Sequence, residues 1–223
     1  MDQALFQTFC DRLERELRPH LDLVSEHPHH PVMVRHCPPP WTCLGTGNYA
    51  AVFAHPDFSA WVVKVYAPGR DGFNEEVEVY RRLGSHPAFS ECYYAQAGLL
   101  VLKRLYGTTL YDCAHQGIPI PKHVIQEIDA ALVYVRARGL NPHDVHGKNV
   151  MLGADGRGLV VDISDFLKPE PCRAWKDLKR AYYWIYRPLI AGLRLKIPYA
   201  LLDQVRTVYR LLRKFGDRLS FRS

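Results

Sequence analysis

Asp144, Asn149 and Asp162 are the residues of this 223-residue chain whose types and spacing could do chemistry together. The first two lie in the stretch Asn141-Pro-His-Asp-Val-His-Gly-Lys-Asn149, and Asp162 ends the apolar run Leu159-Val160-Val161. Asp155-Gly156 predicts a β-turn ahead of that run. Phosphoryl transfer from a nucleotide needs one carboxylate to accept or orient the attacking hydroxyl. It also needs a carboxamide and a second carboxylate to hold Mg²⁺ against the phosphates. Asp144 suits the first role, and Asn149 with Asp162 suits the second.

Elements upstream must then position a nucleotide. Leu44-Gly-Thr-Gly-Asn-Tyr-Ala-Ala-Val52 has glycines at 45 and 47, where a missing Cβ lets the backbone approach phosphates; alone, the pattern fits a hairpin turn equally well. Ala60-Trp-Val-Val-Lys-Val-Tyr66 is an apolar, β-branched run interrupted by Lys64. Alternation puts Val62 and Lys64 on one face and Val63 and Val65 on the other. Both faces read as largely buried, and a buried ammonium needs a partner. The helix expected over 74–83, stopped at Gly84, carries Glu76, Tyr80 and Leu83 on one side, which favours Glu76 over Glu75 as its inward acid.

Taken in this order the pieces resemble the protein-kinase-like superfamily. Asp144, Asn149 and Asp162 match the catalytic loop H-R-D-L-x-x-x-N and the metal-binding aspartate of D-F-G. Gly45, Gly47, Ala50 and Val52 match G-x-G-x-x-G-x-V, with Ala50 where the third glycine usually lies. The resemblance implies that Val52 packs on adenine and that Lys64 holds the α- and β-phosphates and pairs with Glu76. It implies that the adenine edge meets backbone groups near Lys103 and Leu105, with Leu102 behind the pocket, and that Lys148 reaches the γ-phosphate. The fold so implied is α+β and bilobal. Residues 39–105 form a small antiparallel sheet with one helix, and 106–223 a reduced, mostly helical large lobe with basic C-terminal helices, with ATP and Mg²⁺ between them. Residues 1–38 are expected to be a helical extension and a Pro/His-rich connector; the resemblance covers roughly 40–187.

The chain also departs from the family pattern. D-F-G reads Asp162-Ile163-Ser164, and His143 stands where arginine usually precedes the catalytic aspartate. His146, two positions after Asp144, resembles the H-x-D-x-H-x-x-N of aminoglycoside and choline phosphotransferases and of the kinases of lipopolysaccharide core sugar. Ser164 to Cys172 is too short for a typical activation segment. Trp175–Arg180 resembles the helix that buttresses the loop in compact bacterial kinases of the RIO and sugar-kinase type, with Asp177 as a cap for the loop backbone. The resemblance thus implies a minimal ATP- and Mg²⁺-dependent serine/threonine kinase without loop-phosphorylation control. A small-molecule or sugar kinase is the alternative. A pseudokinase binding module is a third reading, which the intact Lys64, Asp144, Asn149 and Asp162 oppose.

Composition is that of an ordinary soluble globular protein: 48% hydrophobic and 23% charged, with no apolar run near the roughly 20 residues of a membrane span. The mixed-charge N-terminus lacks the pattern of a secretion signal. Six scattered cysteines without a C-x-x-C pair suggest reduced thiols and a cytoplasmic setting. His27, His29 and His30 lack the partners of a tetrahedral metal set. The net charge of +6 concentrates from Arg173 onward, where thirteen Lys and Arg face three acids. Such a region could meet nucleic acid, anionic lipid or an acidic partner. The expectation is that the basic residues line the solvated sides of helices over about 174–194 and 198–215. The second would bury Leu201, Leu202, Val205, Val208, Tyr209 and Leu212, and expose Arg206, Arg210, Arg213 and Lys214.

Overall fold

The structure, a computed structural model, describes residues 2–27, 30–190 and 195–208, apart from the side chain of Ile190. It divides into two units. One holds the described residues up to Leu105 with Val133–His143 and Ile163–Glu170. The other holds Tyr106–Leu132, Asp144–Asp162 and the described residues from Pro171 on.

The first unit is built on β-branched and aromatic runs that suit a half-buried pleated surface. Strands β1 (Asp22–Val24) and β2 (Met33–His36) form a small hairpin-like pair. Strands β3 (Thr42–Thr46), β4 (Ala50–Ala54), β5 (Trp61–Tyr66), β6 (Cys92–Gln96) and β7 (Leu99–Lys103) form an antiparallel sheet in the order β3-β4-β5-β7-β6. Register sets its faces: Val52 opposes Lys64, which opposes Leu100, while Phe53 opposes Val63, which opposes Val101.

Each face has its own cover. Helix α1 (Gln3–Arg12) starts at the Asp2 side chain, which accepts from the Ala4 and Leu5 amides, and continues as a wider π-helical turn, Leu13–Leu17. Its Phe9, Leu13 and Leu17 are fully buried in one cluster with Phe53, Trp61, Val63 and Val101. Phe9 meets Trp41, Phe58 and Trp61 with ring centroids 5.6, 5.2 and 5.4 Å away. The N-terminal extension is therefore part of the core under the Phe53 face. On the Lys64 face lies α2 (Phe73–Leu83), which buries Glu76, Val79, Tyr80 and Leu83 and ends at Gly84, φ 66°. Tyr134 holds that end, its hydroxyl donating to the Leu83 carbonyl at 2.6 Å.

The second unit holds the sheet β10-β9-β8, from β8 (Gly107–Thr109), β9 (Val150–Gly153) and β10 (Gly158–Val160), and helix α3 (Leu110–Gln116). Helix α4 (Lys122–Ala137) belongs to it through Leu132. Gly158 is required by close approach: a Cβ there would stand 2.5 Å from the Val124 carbonyl and 2.9 Å from Ile128 Cγ1. Its amide donates to Glu127 at 2.7 Å, so α4 is pinned to the strand that leads to Asp162. Helix α5 (Ala174–Ala181) is tied to α4 through Asp129, which accepts from Trp175 Nε1 at 2.9 Å and Lys179 Nζ at 2.7 Å. In place of a single helix over 174–194, α5 gives way to a π-helical stretch, Tyr182–Ile190, with Pro188 inside; 191–194 lie outside the described residues.

The last described segment, 199–208, is helical, but its facing corrects the sequence expectation. Leu201, Val205 and Val208 are exposed at 51%, 62% and 54%, while Leu202 and Arg206 are half-buried. The contacts on this side are polar: Asp203, itself exposed, takes a hydrogen bond from Tyr111 and lies 3.5 Å from Lys148. Tyr209, Arg210, Leu212, Arg213 and Lys214 lie outside the described residues.

Candidate active site

Within the first unit the sheet presents Lys64 to α2. Lys64 Nζ is 2.7 Å from Glu76 Oε2 and 2.9 Å from Oε1, so one ammonium meets both carboxylate oxygens. Glu76 is 1% exposed and the Lys64 side chain 14%. Tyr66, next but one along β5, adds a hydroxyl donor to Glu76 Oε2. A carboxylate so withdrawn from water is tolerable only with such donors. Glu75 is exposed.

The glycine pattern falls on the β3–β4 turn, closed by the Gly47 amide donating to the Ala50 carbonyl at 2.8 Å. A Cβ on Gly45 would meet nothing within 4 Å, and Gly45 has no positive φ. Neither packing nor conformation within this unit demands glycine there. What its missing Cβ leaves is open room beside a main chain, the room a phosphate needs. Val52 is half-buried opposite Lys64.

Leu102 is buried at the end of β7. Both main-chain groups of Lys103 are engaged: its amide donates to the Glu91 carbonyl at 2.8 Å, and its carbonyl accepts from the Ser90 hydroxyl at 2.7 Å. The Arg104 amide donates to the Ala60 carbonyl. Leu105 follows, half-buried.

In the second unit Asp144 adopts φ 53°, a left-handed conformation that is uncommon outside glycine and costs about 1–3 kcal/mol. Its amide donates to Cys172 Sγ at 3.3 Å, and its carbonyl accepts from Asn149 Nδ2 at 3.0 Å. The strained turn and the carboxamide are thus one piece of structure, with the carboxylate 51% exposed. The Asn149 carbonyl in turn accepts from the Val161 amide at 3.0 Å, one residue before Asp162. Loop and strand end are fastened together, which brings the regions of Asn149 and Asp162 into register. With the Asn149 amide nitrogen directed at Asp144, its carboxamide oxygen is the acceptor side; that oxygen and a carboxylate are hard donors of the kind Mg²⁺ takes.

His146 Nδ1 accepts from the Lys148 amide at 3.3 Å, which makes Nε2 the protonated nitrogen, 3.7 Å from Asp144 Oδ2. Lys148 turns toward the 199–208 helix: its Nζ is 3.5 Å from Asp203 and 4.2 Å from the Tyr111 ring centroid. The hydrogen bond that Asp203 accepts from Tyr111, with the charges of Lys148 and Arg206, holds the Asp203 carboxyl below its ordinary range. Desolvation first, and the Asp203 bond second, push the Tyr111 phenol up to about 12.

The segment after Asp162 returns to the first unit, where Ile163 and Phe166 are fully buried. Asn141 fastens it at three points: its amide donates to the Phe166 carbonyl at 2.8 Å, and its side chain to those of Lys168 and Glu170 at 2.7 and 2.9 Å. Asn141, Tyr66 and Asp129 were not singled out in the sequence. Tyr66 was legible, since alternation puts it on the face of Lys64; Asn141 and Asp129 carry no local signal, because their partners lie far along the chain.

No protein-family model matches the chain. Its sequence is 31% identical over 171 residues to the Bacillus subtilis (strain 168) protein "Putative serine/threonine-protein kinase YrzF", covering 76% of this chain and 79% of that one. Among solved structures it is similar to a mutant of the Mycobacterium tuberculosis PknI kinase domain, at 24% identity and TM-score 0.44, covering 60% of this chain and 62% of that one. It is also similar to the Chaetomium thermophilum CAK complex bound to ATP-gamma-S, at 17% identity and TM-score 0.45, covering 56% of this chain and 46% of that one. The extent and identity of the Bacillus match show that the chain belongs to the protein-kinase-like superfamily of phosphotransferases.

Proposed function

We propose that the chain transfers the γ-phosphoryl group of ATP, taken as its Mg²⁺ complex, to a serine or threonine hydroxyl of a protein. The observation that carries this reading is the Lys64–Glu76 pair, whose closest contact is 2.7 Å. An ordinary strand lysine reaches water; this one is kept withdrawn, both its position and its charge fixed by a buried acid. That is how a cation is prepared to meet phosphate oxygens.

On this reading Lys64 clamps the phosphates and Glu76 positions it, while the main chain at Gly45, Gly47 and Ala50 lies along them. Val52 and Leu102 flank the base. Since both main-chain groups of Lys103 are already bonded, Leu105 supplies the base's hydrogen bonds. Asp144 orients the attacking hydroxyl and takes its proton, and Asn149 and Asp162 hold Mg²⁺. The metal, when bound, offsets charge on the phosphates. Lys148 serves the γ-phosphate only by leaving Asp203. Residues 39–105 then act as the small lobe, 106–223 as the large lobe and 1–38 as an extension packed on the small-lobe sheet, in the cytoplasm.

A second reading, a kinase of a sugar or other small hydroxyl compound, draws on His146 standing 3.7 Å from Asp144 and on the short segment after Asp162. Incubation with labelled ATP and Mg²⁺, alone and with candidate proteins and small molecules, followed by separation of the products, decides between the two. Label on serine or threonine supports the first reading, label in a small molecule the second, and no transfer to either refutes both.

A further inference from the structure

The described residues between 184 and 208, in the second unit, leave outside what a water-facing helix would turn inward. Trp184 is 80% exposed, and Ile185, Leu189, Leu201, Val205 and Val208 are each more than half exposed. The inward contacts are polar or aromatic instead. Tyr182 donates to the Ile120 carbonyl and Tyr186 to that of Ile118. Tyr199 stacks on His115 with centroids 3.5 Å apart and donates to Asp112 at 2.9 Å. Asp203 is held by Tyr111 and lies near Lys148. Both segments are thus fastened by their polar side and present their apolar side. Leu201, Val205 and Val208 follow the i, i+4, i+7 spacing of a helical stripe. In the sequence that spacing continues at Leu212, Phe215 and Leu219, beyond the described residues.

The charge around this apolar surface narrows what covers it. Among the described residues from Arg173 onward there are seven Lys and Arg and two acids, and both acids, Asp177 and Asp203, already stand beside Arg180 and Lys148. A second copy of the chain would bring two strongly basic surfaces together. Nucleic acid meets the charge but offers little to five aliphatic side chains. A peptide partner would call for a groove, yet the depression here, about 550 Å³, is lined by His115, Gln116, Ile118, Lys196 and Pro198 and by none of the six exposed residues. Aliphatic side chains with an outlying tryptophan, set among Lys and Arg, fit the boundary between anionic headgroups and acyl chains.

We propose that the described segments 184–189 and 195–208 dock this protein on the surface of an anionic lipid bilayer, with Trp184, Ile185, Leu189, Leu201, Val205 and Val208 entering the interface. The proposal is independent of the phosphoacceptor. The full chain should be mixed with phosphatidylcholine vesicles containing phosphatidylglycerol and, separately, with pure phosphatidylcholine vesicles, and sedimented. We expect binding to the anionic vesicles, at least about tenfold weaker on the neutral ones and weakened by salt. Of the four tryptophans, Trp41, Trp61 and Trp175 are buried, so a blue shift of emission on binding reports Trp184, and Trp184→Phe should remove the shift. Trp184→Glu with Val205→Glu, both outward-facing, should abolish binding with the melting temperature unchanged. Equal binding to both vesicle types, no binding to either, or no emission shift would overturn the proposal. So would a salt-insensitive dimer lost in the double variant, or vesicle binding by that variant equal to the parent's.

Discussion

Glu76 of α2 is the buried acid that Lys64 of β5 reaches, both its oxygens lying within 2.9 Å of the lysine nitrogen. Tyr66 is its second donor. Breaking a buried pair by removing one member leaves the other charge uncompensated, at about 3–5 kcal/mol. We expect Lys64→Met to lose close to the lower end of that range, about 3 kcal/mol, since Tyr66 remains, and to lose turnover with Mg²⁺-ATP. The double variant Lys64→Met, Glu76→Gln should regain most of the stability and none of the turnover. Denaturant unfolding and a kinase assay on the same preparations check this. Full stability in the single variant, or activity in the double, would detach the pair from phosphate binding.

Gly45 gives the complementary case, a residue with no packing or conformational reason to be glycine. Gly45→Ala should leave the melting temperature within a few degrees of the parent, because any change in backbone entropy is under about 1 kcal/mol. The KM for ATP should nevertheless rise several-fold, since the new methyl occupies the space assigned to phosphate. An unchanged KM would mean that this turn does not lie along the nucleotide.

These two cases show what was legible beforehand. Lys64, Glu76, Asp144, Asn149 and Asp162 stand in short local patterns, and for Lys64 and Glu76 alternation and helix phase predict the facing that the structure has. The N-terminal extension could not be read in this way: Phe9, Leu13 and Leu17 form an apolar side at i, i+4 and i+8, but nothing local says that Trp41, Phe58 and Trp61 are what it covers. For the 199–208 helix the sequence pattern points the wrong way. An apolar stripe normally faces a core, and here the helix meets Tyr111 and Lys148 through Asp203 instead.

The segment after Asp162 bears on regulation. A phosphate-ordered activation loop needs slack chain and a basic partner beside the catalytic aspartate. This segment is pinned by Asn141 at Phe166, Lys168 and Glu170, and the residue before Asp144 is His143, 3.8 Å from Asp165. Turnover should therefore be the same before and after phosphatase treatment and in Ser164→Ala. A several-fold fall in either would reveal a phosphoswitch.

The Tyr111–Asp203 bond should leave a mark in pH titration. Asp203 has a lowered carboxyl value, so its contribution is complete above the ordinary 3.8 and is lost as pH falls through the lowered value. Tyr111 has a raised value, so its contribution is complete below the ordinary 10 and is lost as pH rises through about 12. The contact is thus at full strength from about pH 4 to 10. In a tyrosinate absorbance titration compared with Tyr111→Phe, Tyr111 should be largely un-ionised at about pH 10.5, and Asp203→Asn should bring it back toward the ordinary value. Ordinary titration of Tyr111 in the parent would contradict the contact.

The most direct test is transfer of labelled γ-phosphate from Mg²⁺-ATP to serine or threonine, measured beside calorimetric Mg²⁺-ATP binding, in the parent, Asp144→Asn and Asp162→Asn. In the parent we expect binding and transfer that both require Mg²⁺. Asp144→Asn should bind Mg²⁺-ATP as the parent does and lose at least about a hundredfold in transfer, because only the step at the hydroxyl is affected. Asp162→Asn should lose the metal-dependent binding itself. Parent-like transfer in Asp144→Asn, or unaltered metal dependence in Asp162→Asn, would contradict the assignment of these carboxylates to phosphoryl transfer.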